Sequence, residues 1–128
     1  MTVKSLTALF SETIPKLGGS AMLSMKIKIL KITDYSFYPG YVECLITDAW
    51  GNRHIFNEKI PIVTCEEIDE ESELPQDGFI RCEMLKQWTD DNGNEIITVS
   101  TENPDNVETI DEVNIFDLQP CQLIDIHL

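Results

Sequence analysis

Few side chains in this 128-residue chain have the spacing that nucleophilic chemistry requires. His54 follows Asp48 across a predicted turn, and Cys65 comes one predicted strand later. A thiolate nucleophile needs a base within hydrogen-bonding distance, and nothing in this spacing provides one. We therefore interpret His54 as a surface histidine on a hairpin.

Carboxylates are the most abundant ionisable groups in the sequence. A hydrolase that uses two of them needs one whose pKa is raised by an apolar pocket. Four acids lie on predicted strands and could point into the mouth of a barrel: Glu43, Glu58, Glu83 and Asp117. With 23 Asp and Glu in the chain, some acids come close together by chance, so this pattern selects no catalytic pair.

No metal or cofactor site is predicted. The four cysteines contain no C-x-x-C pair, and His54 and His127 do not complete a zinc pattern. Residues 90–95 look superficially like the start of a calcium loop, but Gly93 comes too early for an EF-hand. We expect a tight hairpin turn there instead, because Asn92-Gly93 suits one.

The net charge of −14 is the most unusual property of the chain. Residues 32–128 contain four basic residues against 22 acidic ones, whereas residues 1–31 contain five against one. So acidic a body repels nucleic-acid phosphates and anionic membranes, but it attracts a basic protein. We therefore predict a basic protein partner, no nucleic acid and no membrane. The alternative is that the acidity only maintains solubility.

Strand patterns dominate from Met25 onwards. Residues 26–33 alternate apolar and lysine side chains, residues 41–59 read as one hairpin, and residues 79–88 as a long strand with Ile80, Cys82, Met84 and Trp88 on one face. Residues 60–64 are strand-like and belong on an edge, because Pro61 cannot donate a backbone hydrogen bond.

These patterns predict a mainly β fold, either a small single-domain barrel (OB- or SH3-like) or a sandwich of about five to seven strands. We assign this domain to residues 25–128. Residues 1–24 are expected to be an N-terminal extension, flexible or containing a short amphipathic helix, since apolar residues recur there at helical spacing. With neither a secretory signal nor a long apolar run, the chain is expected to be cytoplasmic.

Two surface features are candidates for contact with a partner. Aromatic side chains cluster around Pro39-Gly40, at Tyr35, Phe37, Tyr38 and Tyr41. They predict either a packed rim or an aromatic patch for a protein. The second feature is residues 65–78, here called the acidic loop, which contain seven acids and no basic residue. The candidate partner-binding residues are its carboxylates and two apolar anchors: Glu66, Glu67, Asp69, Glu70, Glu71, Glu73, Ile68 and Leu74.

As a short, very acidic and mostly β chain without a catalytic motif, residues 25–128 resemble small bacterial proteins of uncharacterised families. They are also similar to immunity proteins that neutralise nuclease toxins. The resemblance is carried by composition and by the loop around Glu66–Glu73. It implies a non-catalytic binding protein that neutralises or regulates a basic partner. A structural module of a larger assembly, tethered through residues 1–24, and an enzyme with a carboxylate-lined pocket are the alternatives.

Overall fold

The computed structural model describes residues 21–127, so the helix predicted before Gly18 lies outside it. Eight strands, one helical turn and one 3-10 turn make up these residues. In chain order they are β1 (Ala21–Asp34), β2 (Tyr41–Thr47), β3 (Arg53–Lys59), α1 (Ile60–Val63), β4 (Gln76–Arg81), β5 (Glu83–Thr89), β6 (Glu95–Ser100), β7 (Ile115–Leu118), the 3-10 turn η1 (Pro120–Gln122) and β8 (Leu123–His127).

The strands form two antiparallel sheets. The first has the order β3-β2-β1-β4, with β8 paired to the start of β1, and the second has the order β5-β6-β7. Buried Met25, Ile27 and Ile29 alternate along β1 with exposed Lys26 and Lys28, as the period of two in the sequence predicts. The predicted hairpin over residues 41–59 is confirmed as β2 and β3.

Side chains from both sheets share one hydrophobic core. Phe56 from the first sheet meets Phe116 from the second edge-to-face, with ring centroids 5.6 Å apart. The mainly β expectation is thus confirmed. The predicted barrel is wrong, because no strand pairing among residues 21–127 joins the two sheets. These residues also contain eight strands, more than the predicted five to seven.

A β-bulge changes the predicted face of Trp88. The register of β5 against β6 shifts between Met84 and Lys86, which leaves an extra residue on β5. Met84 still packs against the core, but the Trp88 indole now donates to Thr98 on the other face of the sheet. The single long strand predicted over residues 79–88 is wrong, because the chain leaves β4 after Arg81 and enters β5 of the other sheet at Glu83. The single-face alternation within it ends at Met84.

Residues 60–63 form a helical turn and not the predicted edge strand. Pro61 occupies the first turn, where its missing N–H costs nothing, and the Thr64 N–H donates to the Ile60 carbonyl at 3.2 Å. Ile60 and Val63 are three residues apart, so a helical turn places both on one face, and both are buried. This apolar pair is as compatible with a helical turn as with a strand.

The first strand begins before the predicted start of the domain at residue 25. β1 begins at Ala21, so residue 24, the end of the predicted extension, lies inside a strand.

The tight turn predicted at residues 90–94 is confirmed. Gly93 has a φ of +84°, and the Asp90 carboxylate accepts hydrogen bonds from the backbone N–H groups of Asn92 and Asn94.

The contact between the sheets predicts a large difference between two neighbouring substitutions. Phe116→Ala should lower the free energy of unfolding by about 3–5 kcal/mol, since it empties a buried ring site between the sheets. Ile115→Ala, on the exposed side of the same strand, should cost less than about 1 kcal/mol. Urea denaturation measures both, and similar losses would contradict the shared core.

Candidate functional site

One groove combines the two surface features that the sequence singled out. It has a volume of about 520 Å³ and lies between the loop from β1 to β2 and the start of the acidic loop. Its lining contains aromatic, apolar and acidic side chains and no basic one: Tyr35, Tyr38, Pro39, Ile60, Pro61, Thr64, Cys65, Glu66, Glu67, Ile68 and Asp69.

The aromatic side of the groove depends on Gly40. This glycine has a φ of +88°, and a Cβ added to it would lie 2.7 Å from Cδ1 of Tyr35 and 3.2 Å from Cδ1 of Ile60. The Gly40 carbonyl also accepts the Ile60 N–H at 3.0 Å. The loop from β1 to β2 (residues 35–40), here called the aromatic loop, is therefore joined to α1. Tyr38, 98% exposed, extends from it into solvent.

Short-range hydrogen bonds order the acidic side. The Thr64 hydroxyl accepts the Glu66 N–H at 3.1 Å. The Asp69 carboxylate accepts the Glu71 N–H at 2.9 Å, and the Ser72 hydroxyl accepts the Asp69 N–H at 2.9 Å. Turns of this kind hold Asp and Ser side chains against their own backbone. The Asp69 carboxylate is thus used to shape the loop, whereas Glu66 and Glu67 are free to meet a ligand.

The structure places the eight candidate residues in two groups. All six carboxylates, at positions 66, 67, 69, 70, 71 and 73, are exposed. Ile68 is 3% exposed and belongs to the core, and Leu74 packs against that core. These two side chains pack within the chain itself, so they present little apolar surface to a partner. Tyr35 and Tyr38 supply exposed apolar surface in their place.

None of the glutamates in the acidic loop pairs with a basic residue among residues 21–127. The three ion pairs in that range involve other acids: Lys28 with Asp77, Arg81 with Asp105, and His54 with Asp48. Asp77 stands at the end of the acidic loop, where β4 has already begun. The negative charge at the groove is therefore uncompensated within the described residues.

The four carboxylates considered for catalysis are divided between the two sheets, with Glu43 and Glu58 on β2 and β3 and Glu83 and Asp117 on β5 and β7. Burial raises the pKa of Glu58, and the charge of Asp105 adds to this, while Lys59 opposes it. Glu58 does not line the groove, however. Asp117 accepts hydrogen bonds from the Trp50 indole at 2.9 Å and the Thr98 hydroxyl at 2.6 Å, and Glu83 accepts from Asn103. These contacts are structural.

His54 is paired with Asp48 and is less exposed than a simple surface histidine. Its Nε2 lies 2.9 Å from Oδ2 of Asp48, and its ring meets Phe116 edge-to-face at 5.1 Å. Burial acts to raise the pKa of Asp48, but hydrogen bonds from His54, Asn52 and Trp50 leave that pKa below its usual value. The pair holds the tip of the β2–β3 hairpin, whereas Cys65 lines the groove.

Neither a metal site nor a membrane-spanning helix is found within the described range. Residues 21–127 contain no group of three His, Cys, Asp or Glu side chains that could hold a metal ion. No helix in that range is long and apolar enough to cross a membrane. Comparisons of the chain with protein-family models, curated proteins and solved structures found no match. The chemistry of the groove is therefore the basis for assigning a function.

The sequence predicts the aromatic cluster and the acidic loop separately, but it does not predict that they line one groove. The predicted aromatic cluster contains Tyr35 and Tyr38, and the predicted acidic loop contains Glu66 and Glu67. The link between them is α1, whose residues the sequence pattern predicts to be a strand. The proline within an apolar run was the signal that could have indicated a helical turn.

Two glycines with nearly the same φ allow a test of how the groove is built. Gly40→Ala should cost about 1–3 kcal/mol more stability than Gly51→Ala, because only at Gly40 would the methyl group collide with packed side chains. Gly51 has a φ of +86° and no atom near its Cβ position, so it reports the backbone strain alone. Equal losses in urea denaturation would show that Tyr35 does not pack on Gly40.

The cysteines should separate into two reactivity classes. Burial, with the nearby charges of Glu58 and Glu43, raises the pKa of Cys44 to about 12, and burial raises that of Cys82 to about 12. Cys65 and Cys121 are exposed. Because the thiolate is the reactive form, an aromatic disulfide reagent at pH 8 should titrate two thiols in the native chain and four in urea. Mass mapping that finds Cys44 or Cys82 labelled in the native state would contradict this.

Proposed function

We propose that this chain binds a basic protein, and neutralises or regulates it, through the groove between the aromatic loop and the acidic loop. The observation that carries the proposal is that exposed tyrosines line the same groove as glutamates that lack a basic partner within residues 21–127. Such a surface offers the partner both apolar contact area and opposite charge.

The electrostatics of the whole chain support the same function. A net charge of −14 speeds the approach of a basic protein at low ionic strength. Complementary potentials contribute specificity and association rate more than affinity. The exposed aromatic rings are therefore needed as well, because aromatic side chains are enriched among the residues that dominate binding energy.

The proposal includes a role like that of immunity proteins, and the charge of the surface alone supports this role. A protein that blocks a nucleic-acid-binding enzyme must present negative charge to a basic cleft, and the acidic loop presents five exposed glutamates. A structural module tethered through residues 1–24 and an enzyme with a carboxylate-lined pocket are the other two candidates. No contact among residues 21–127 favours either of them over binding.

Charge reversal at the groove tests the proposal. The wild-type chain, immobilised at low salt, should capture a basic protein from lysate of its native host and release it sharply as salt rises, because charge attraction contributes to the contact. The double variant Glu66→Lys, Glu67→Lys should lose that protein. The matched control Glu102→Lys, Glu108→Lys changes two exposed glutamates of another loop by the same total charge and should retain it.

The comparison of the two double variants decides the result. Retention by the control and loss by the groove variant supports a specific site. Equal weakening in both variants would mean that binding follows net charge alone, and the groove would then have no special part. Capture of nothing but scattered, weakly held basic proteins would indicate that the acidity serves solubility.

A further inference from the structure

The groove presents three kinds of surface side by side. Tyr35 and Tyr38 contribute aromatic rings, exposed Pro61 contributes apolar contact, and Glu66 and Glu67 contribute carboxylates. A ligand that uses all three needs a flat cation, a hydrocarbon stem and several hydrogen-bond donors. Among the natural side chains, arginine alone has this combination.

We propose that the groove binds an arginine side chain presented by the basic partner, with its guanidinium group between the tyrosine rings and the glutamates. This inference rests on the proposed function and names the chemistry of the residue that the partner contributes. A guanidinium stacks on aromatic rings and forms paired hydrogen bonds with a carboxylate. Lysine lacks the planar donor fork, and its ammonium group is more strongly hydrated.

The size and exposure of the groove are consistent with a side chain or a short segment as the occupant. Its volume of about 520 Å³ lies within the range of sites that hold small molecules and is small for a protein surface. The ring of Tyr38 is 98% exposed, so a stacked guanidinium covers apolar surface without displacing any packing of the chain.

Charge complementarity selects this occupant over an uncharged or acidic one. The groove-lining residues include three acids and no base, and Asp69 is already engaged in its own turn. Two carboxylates thus remain for the ligand. An uncharged aromatic ligand would leave both without a partner, and an acidic ligand would be repelled by them.

Three short peptides separate charge from shape. Each is acetylated and amidated and alternates glycine with arginine, with lysine, or with citrulline, which has nearly the shape of arginine without its charge. Calorimetry on the full chain measures affinity. Cys65 lines the groove and is exposed, so a trifluoromethyl tag on this thiol in a Cys121→Ser background reports local binding by fluorine NMR.

The arginine peptide should bind roughly tenfold more tightly than the lysine peptide, and the citrulline peptide should not bind at up to roughly 10 mM. Tyr38→Ala should reduce arginine binding several-fold and reduce the preference over lysine, and its near-complete exposure makes it neutral for folding. Glu66→Gln with Glu67→Gln should abolish binding, whereas Glu102→Gln with Glu108→Gln should leave it unchanged.

The outcomes distinguish this inference from the broader function. Equal affinity for the arginine and lysine peptides, insensitivity to Tyr38→Ala, or an unshifted fluorine signal would each overturn arginine recognition. If the host partner is still captured in a groove-dependent way, the proposed function survives that result. Loss of groove dependence in the capture experiment would instead overturn both.

Discussion

The length of β1 is the constraint on which the rest of the structure depends. Its 14 residues pair with β4 along one edge and with β8 and then β2 along the other. Residues 24 and 25 are paired with both β4 and β8, and residues 28 and 29 are paired with both β4 and β2. These positions are therefore central in the sheet. Met25 and Ile29 are completely buried as a result.

The alternation of side chains along β1 also places its lysines on the exposed face of the sheet. Because successive side chains point to opposite faces, the lysines at positions 26 and 28 are exposed while their apolar neighbours fill the core. The basic residues of β1 are therefore fixed on a sheet surface, and Lys28 pairs there with Asp77. None of them lines the groove, so the negative potential of the acidic loop is not neutralised locally.

Close approach of backbone to backbone determines where the acidic loop begins. A Cβ on Gly78 would lie 2.6 Å from the Val63 carbonyl oxygen, so α1 can sit against β4 only where the strand lacks a side chain. α1 in turn bonds to Gly40 through the Ile60 N–H. Two glycines far apart in sequence thus bring the aromatic loop and the acidic loop to the two sides of one groove. The groove therefore combines exposed aromatic surface with carboxylates that have no basic partner within the described residues.

The sequence by itself determined the mainly β class, the β2–β3 hairpin, the turn at residues 90–94 and the acidic character of residues 65–78. These follow from local physics: the period of two in apolar residues, the positive φ that Gly93 accepts, and composition. Only the tertiary structure decided that Ile68 lies in the core and that Trp88 changes faces at a bulge. For α1, the proline in an apolar run is compatible with a helical turn or an edge strand, and the burial of Ile60 and Val63 on one face selected the turn. The tertiary structure also decided that two open sheets form instead of a barrel. Each of these depends on packing between residues distant in sequence, which no local pattern encodes, and the groove is the product of such packing.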